Sequence, residues 1–318
     1  MRIYKYDNLR FILMFLVVAC HMMEIFNKDW VYNFYRIIYV FHMPVFIYLT
    51  GRFARFKKKR IFLHLIIPYI ISQTLYLYFA GYVLSDEHKV TLQYTTPYWL
   101  LWFLLALIFY NMLLPMLPAK NKKLSLPAGI IIGVSIAAAL IAGYDKSLGY
   151  YMTLSRTVVF FPFFLIGYYD PAIRGLIKIK DRAEFIISMM AISVILIFFG
   201  SRFVIDNDVS SHLLYGSYSY EDCGGSALVR IIIFAAAIGW IILFNYVIPN
   251  VRIPLITACG SNTMAAYLCH GFIVKLFMKN NVYHYSLGMD FVIALVSGLI
   301  ITAALGLVSH GLRRFSCR

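Results

Sequence analysis

Ten runs of mostly apolar residues, joined by short polar connections, set the first limit on what this chain can fold into. A helix that crosses a bilayer needs about 20 such residues. Residues 9–26, 35–51, 61–82, 98–117, 126–144, 154–170, 184–200, 227–248, 262–278 and 290–310 each come close to that. With these spans drawn, little of the 318-residue chain remains for a soluble domain, and 62% hydrophobic against 14% charged residues excludes an ordinary soluble one. The expected fold is an all-α integral membrane protein, a bundle of about ten transmembrane helices forming a single domain over residues 1–318. Residues 19–21 (Ala-Cys-His) do not form a small-residue cleavage site, so the first span is expected to be retained.

A formal charge of +15 would suggest nucleic acid if the chain were soluble. In a membrane protein the placement of Lys and Arg carries the information instead. With the N-terminus inside, Arg2, Lys5 and Arg10, the run from Arg52 to Arg60, Lys120 to Lys123, Arg174 to Arg182, and Arg313 to Arg318 all fall on the inner side. The acids Asp29, Asp86, Glu87, Asp145, Asp206, Asp208, Glu221 and Asp222 fall outside. Cytoplasmic N- and C-termini thus satisfy the positive-inside rule at every loop except the last inner one, where Arg252 stands alone. Membrane lipids are expected partners and nucleic acid is not. Cys20, Cys259 and Cys269 lie in or beside spans, Cys317 inside and Cys223 outside, so the cysteines form no disulfide framework. The longest outer connection, 201–226, is expected mainly to cap the bundle.

The first span holds a polar stripe. Eleven steps of about 100° bring Arg10 and His21 to one face of a helix, about 16 Å apart along its axis. Asp7 precedes Arg10 by three residues and Glu24 follows His21 by three, each near that face. Ionisable groups within a membrane cost about 2.5–3.5 kcal/mol each and normally face a bundle interior or a watery cavity. His21 and Glu24 therefore read either as a structural pair between helices or as part of a site. His42, in the second span beside Pro44, reads equally as a packing donor or as a site residue at similar depth. The connection "GRFARFKKKRIF" is a positive-inside anchor by its charge alone. The spacing of Arg52, Arg55, Lys57 and Arg60 also suits the phosphates of a nucleotide-bearing donor.

These segments together resemble the acyltransferase 3 family of bacterial membrane proteins, which includes surface-polysaccharide O-acetyltransferases. "DNLR" followed by ten residues and His21 looks like the family's R-x10-H signature. "FHMPVFIYLTG" resembles its F-H-M-P-x-F-x-x-x-S-G segment, with Thr50 in place of serine. "KKKRIFLHLIIPY" is similar to its basic, proline-containing entry to the third helix, "YWLLWFLLALIFYNMLLP" to its fourth helix, and "GSNTMAAYLCHGF" to a late segment that ends in Y-L-x-H.

The resemblance implies a stand-alone membrane form in the bacterial cytoplasmic membrane. It implies transfer of an acyl group, most often acetyl from cytoplasmic acetyl-CoA, to a hydroxyl of a carbohydrate or glycolipid. Acyl-CoA would be a co-substrate, with no tightly bound cofactor and no metal. His21 would then be the general base, since an imidazole titrates near neutrality. Glu24 would orient it, His42 and His270 would be second candidates as oxyanion donor or proton relay, and an acyl-histidine intermediate is a further route. Arg10, Arg52, Arg55, Lys57 and Arg60 would bind the acyl-CoA. Trp102, Arg156 and His270 are candidates for the acceptor, and Arg202 and Arg230 also come near outer helix ends, where interfacial anchoring is the competing reading. A transporter of polysaccharide or lipid-linked sugar is the alternative class, but clear inverted repeats or paired broken helices are not evident. A glycosyltransferase would want an acidic pair where the first outer connection, "NKDWVYN", offers only Asp29.

Overall fold

The structure is a computed structural model that describes residues 3–316 apart from 25, 27–28, 86–88, 121–123, 176–181, 281 and 284–285. Arg2, Asp86, Glu87, Lys122, Lys123, Lys178, Lys180, Cys317 and Arg318, used above to assign sides, lie outside the described residues, as do the side chains of Asp29, Arg174, Arg182, Arg313 and Arg314.

The chain is an all-α integral membrane protein. Its principal helices are α1 (Tyr4–Met23), α2 (Asp29–Arg52), α3 (Lys58–Leu84), α4 (Trp99–Met116), α5 (Leu126–Tyr144), α6 (Tyr151–Ile173), α7 (Ala183–Asp206), α8 (Ala227–Val247), α9 (Thr263–Lys279) and α10 (Leu287–Ser316). Among the described residues, nine helices are long and apolar enough to cross a membrane. The remaining expected span is α9, whose 17 residues follow the short helix Pro254–Gly260 after a break at Ser261 and Asn262.

Six helices, α1, α2, α3, α6, α7 and α10, start earlier than their apolar runs. The first begins at Tyr4 and ends at Met23, where apolarity alone gives 9–26. Most of the expected first outer connection, from Asp29 to Asn33, is the opening of α2. The cause lies in polar residues that are buried against protein, such as Asp7, Asn8 and Arg36, and so leave no hydropathy signal. His21 consequently sits in the last turn of α1, and Glu24 just past its end.

The chain forms two compact units. The first comprises Met1–Ile38, Tyr76–Val90 and Phe244–Arg318. In it, α1 packs against Pro254–Gly260, α9 and α10. Gly260 lies directly on the Asp7 carbonyl, where any Cβ would collide, and small residues of this kind let membrane helices approach. Asn8 joins the same elements: its Nδ2 donates to the Val251 carbonyl (3.0 Å) and its Oδ1 accepts from Thr257 Oγ1 (2.7 Å). Both ends of a buried amide are thereby satisfied.

The second unit comprises Tyr39–Leu75 and Thr91–Leu243. Within it α6 packs against α4 and α5, while α7 is mostly exposed on an apolar surface, as a lipid-facing helix would be. The C-terminal half of α2 meets α6 through reciprocal glycines. A Cβ on Gly51 would strike the Phe164 carbonyl, and one on Gly167 would strike that of Tyr48. Gly51→Val and Gly167→Val are each expected to cost about 1–3 kcal/mol or more. Gly129→Ala, in a position with no neighbour within 4 Å, should be neutral or mildly stabilising. Thermal unfolding in detergent reads all three, and valine variants as stable as wild type would contradict the packing.

Residues 201–226, expected as a capping connection, form a folded cap. They continue α7 to Asp206 and then make the short helices Ser211–Tyr215 and Tyr220–Cys223, with Leu213, Leu214, Ser217 and Tyr220 buried.

Candidate functional site

The first unit gathers the ionisable groups at the end of α1. His21 Nδ1 lies 2.6 Å from Glu24 Oε1, with side-chain exposures of only 13% and 23%. A carboxylate accepts, so Nδ1 carries the proton and Nε2 is the basic nitrogen. The ring of His270, from α9, stacks on that of His21 with centroids 5.5 Å apart and planes inclined by 24°. His270 is fully buried, and its Nδ1 lies 2.8 Å from the Ala266 carbonyl. Since a carbonyl only accepts, that nitrogen is also protonated, leaving the His270 Nε2 lone pair buried with no hydrogen-bond partner. His270, expected both among acceptor contacts and as a second catalytic candidate, stands beside His21.

Arg10, on the face of α1 that also carries His21 and about three turns before it, pairs with Asp7 at 3.2 Å. A guanidinium has five N–H donors, so this bond is compatible with a phosphate contact.

In the second unit, His42 is buried edge-on to Tyr39, with centroids 4.5 Å apart, on a helix that runs on through Pro44. Thr50 donates to the Ile47 carbonyl at 2.7 Å. Arg52 forms an ion pair with Asp170, whose other oxygen accepts from Tyr48 at 2.6 Å. Arg55, Lys57 and Arg60 are exposed.

Lys120, not singled out by its spacing, joins this basic group. Its ammonium donates to the Arg52 carbonyl at 3.0 Å and lies over the Tyr168 ring. Burial first, and then the neighbouring charges of Arg52 and Arg55, push its pKa below the ordinary lysine value. Such crowding of like charges is relieved by a bound anion.

At the other end of this unit the structure brings Trp102 and Arg156 together: the guanidinium lies 5.0 Å from the indole centroid and 5.5 Å from that of Tyr150, and donates to Ser217 Oγ at 3.2 Å. Tyr218 stays a neutral phenol, its pKa pushed up to about 12 by its hydrogen bond with Tyr150 and then by burial. Arg230 is buried, donates to the Ala139 carbonyl at 2.7 Å and faces the Tyr220 ring. Arg202 pairs with Asp206 at 3.0 Å, both side chains being largely exposed.

A family model described as an acyltransferase domain matches residues 3–309. No curated protein and no solved structure is significantly similar to the chain.

Proposed function

Because the chain belongs to the acyltransferase 3 family and is a membrane acyltransferase, we propose that it moves an acetyl group from cytoplasmic acetyl-CoA to a hydroxyl of a cell-surface or lipid-linked carbohydrate. The observation that carries this reading is the short His21–Glu24 contact at the end of a membrane helix, with the ring of His270 stacked beside it.

His21 Nε2 takes the proton of the sugar hydroxyl as its oxygen attacks the thioester carbonyl carbon. The C–S bond breaks, and the imidazolium returns the proton to the leaving thiolate, giving an O-acetyl sugar and free CoA. Glu24 holds the ring by Nδ1 and stabilises its charged form. Neutral His270 has its proton on Nδ1, so its Nε2 suits a proton relay and not an oxyanion donor. His42 is held as a second candidate in the other unit.

Arg10 and His21 are about 16 Å apart along α1, a distance that an extended pantetheine arm covers with its phosphates at the Arg10 end. In the second unit, exposed Arg55, Lys57 and Arg60 with Lys120 form a separate candidate phosphate group, and Arg52, paired with Asp170, keeps N–H donors beyond that pair. In this reading both termini and the basic loops face the cytoplasm of a bacterial inner membrane, as the positive-inside rule requires.

Lys120→Met tests the basic group. A lysine whose folded pKa is lowered destabilises the fold while charged. Below that folded value the penalty is full, and it is relieved as pH rises from there to the ordinary lysine value. Wild-type stability should therefore gain on the variant across that alkaline window. The variant should also bind CoA several-fold more weakly at neutral pH. Equal CoA affinity would remove Lys120 from the phosphate site. Mass spectrometry of surface glycans from cells carrying wild type or His21→Ala tests the function itself: acetyl esters present only with wild type support it, and identical glycans oppose it.

A further inference from the structure

Among the described residues, Arg156 has no carboxylate counter-ion. Its contacts are the rings of Trp102 and Tyr150 and the Ser217 hydroxyl, and its Nε is buried with no hydrogen-bond partner. The hydroxyl oxygens of Thr153 and Thr157, three residues before it and one after, are likewise buried and unpartnered. Both carry the polar-burial cost that native structures normally avoid. The acids of the flanking loops are engaged elsewhere: Asp145 accepts from Ser147, Glu221 pairs with Lys146, and Asp222 accepts from Ser219. The phenols of Tyr39, Tyr215 and Tyr218 also lie within electrostatic reach of the guanidinium.

A planar guanidinium with free N–H edges matches the two oxygens of a carboxylate or phosphate. The aromatic faces around it suit the apolar face of a sugar ring, and hydroxyls from tyrosine, serine and threonine suit its rim. We infer that the Arg156 cluster, with Trp102 and Tyr150, binds an anionic group, a carboxylate or phosphate, carried by the carbohydrate acceptor. This rests on the acyl-transfer reading above for the role of the saccharide as acceptor.

The experiment is equilibrium binding by calorimetry to purified full-length protein in detergent, using trigalacturonate and its carboxyl-reduced trisaccharide. Wild type should prefer the acid by about tenfold or more, the effect of one charge-assisted contact. Arg156→Met should abolish that preference, and Arg156→Lys should retain part of it. The ratio of the two affinities is the readout, so a variant of lower stability remains informative. Equal affinity of wild type for both saccharides, or an undiminished preference in Arg156→Met, would overturn the inference. A parallel arm adds phosphatidylglycerol to the micelle: if Arg156→Met changes lipid binding while saccharide selectivity is untouched, the anion is a lipid headgroup and the inference fails. Binding needs no acyl donor, so a retained preference without acetyl transfer would count against the catalytic reading and leave this site standing.

Discussion

Replacing His21 by alanine is expected to lower acetyl transfer roughly 10²–10⁴-fold, the range a positioned general base contributes. The loss should appear in kcat with the KM for acetyl-CoA little changed, because in the proposed reaction the imidazole meets the reacting atoms and not the phosphates. Glu24→Gln keeps a hydrogen-bond acceptor at Nδ1 but removes the charge that stabilises the imidazolium. It should cost about 10–100-fold, as expected for loss of one charged hydrogen bond. Steady-state kinetics on purified protein reads both, and a Glu24→Gln enzyme of wild-type activity would make the 2.6 Å contact structural.

The second large effect is on stability. Asp170→Ala removes the partner of Arg52 and the acceptor of the Tyr48 hydroxyl in one step. Asp170 is buried, and breaking a buried ion pair from one side costs about 3–5 kcal/mol. Removing both charges, in Arg52→Met with Asp170→Leu, should recover much of the loss. Denaturant or thermal unfolding in detergent measures it. A single Asp170→Ala variant as stable as wild type would mean that other contacts hold Arg52 and that this pair contributes little to the fold.

Much of this was legible in the chain. Period and length gave the helices, and the eleven-residue spacing gave Arg10 and His21 a common face. The offsets of three residues also anticipated two contacts, Arg10 with Asp7 and His21 with Glu24, because neighbours on a helix surface lie three and four apart. Contacts between helices were not legible. His270 reaches His21 from 249 residues away, and its stacking depends on how α9 lies along α1. Arg52 reads as a phosphate ligand in its basic run, yet Asp170, in a different helix, claims it. Lys120 reads as an anchoring charge, and only its approach to the Arg52 carbonyl sets it in the basic group. Asn8 sits inside the "DNLR" motif but acts through Val251 and Thr257, so a chemical signature and a packing joint share four residues. α1 begins before its apolar run because Asp7 and Asn8 are polar yet buried by protein, and hydropathy scores only the side chain.

The central claim is that His21 activates an acceptor for attack on acetyl-CoA. The most direct measurement is release of free CoA thiol by the purified protein in detergent, with and without a saccharide acceptor, for wild type, His21→Ala and Arg10→Ala. Wild type is expected to show acceptor-stimulated thiol release, His21→Ala to lose it, and Arg10→Ala to show a raised KM for acetyl-CoA. Thiol release that is the same in all three proteins would contradict the claim.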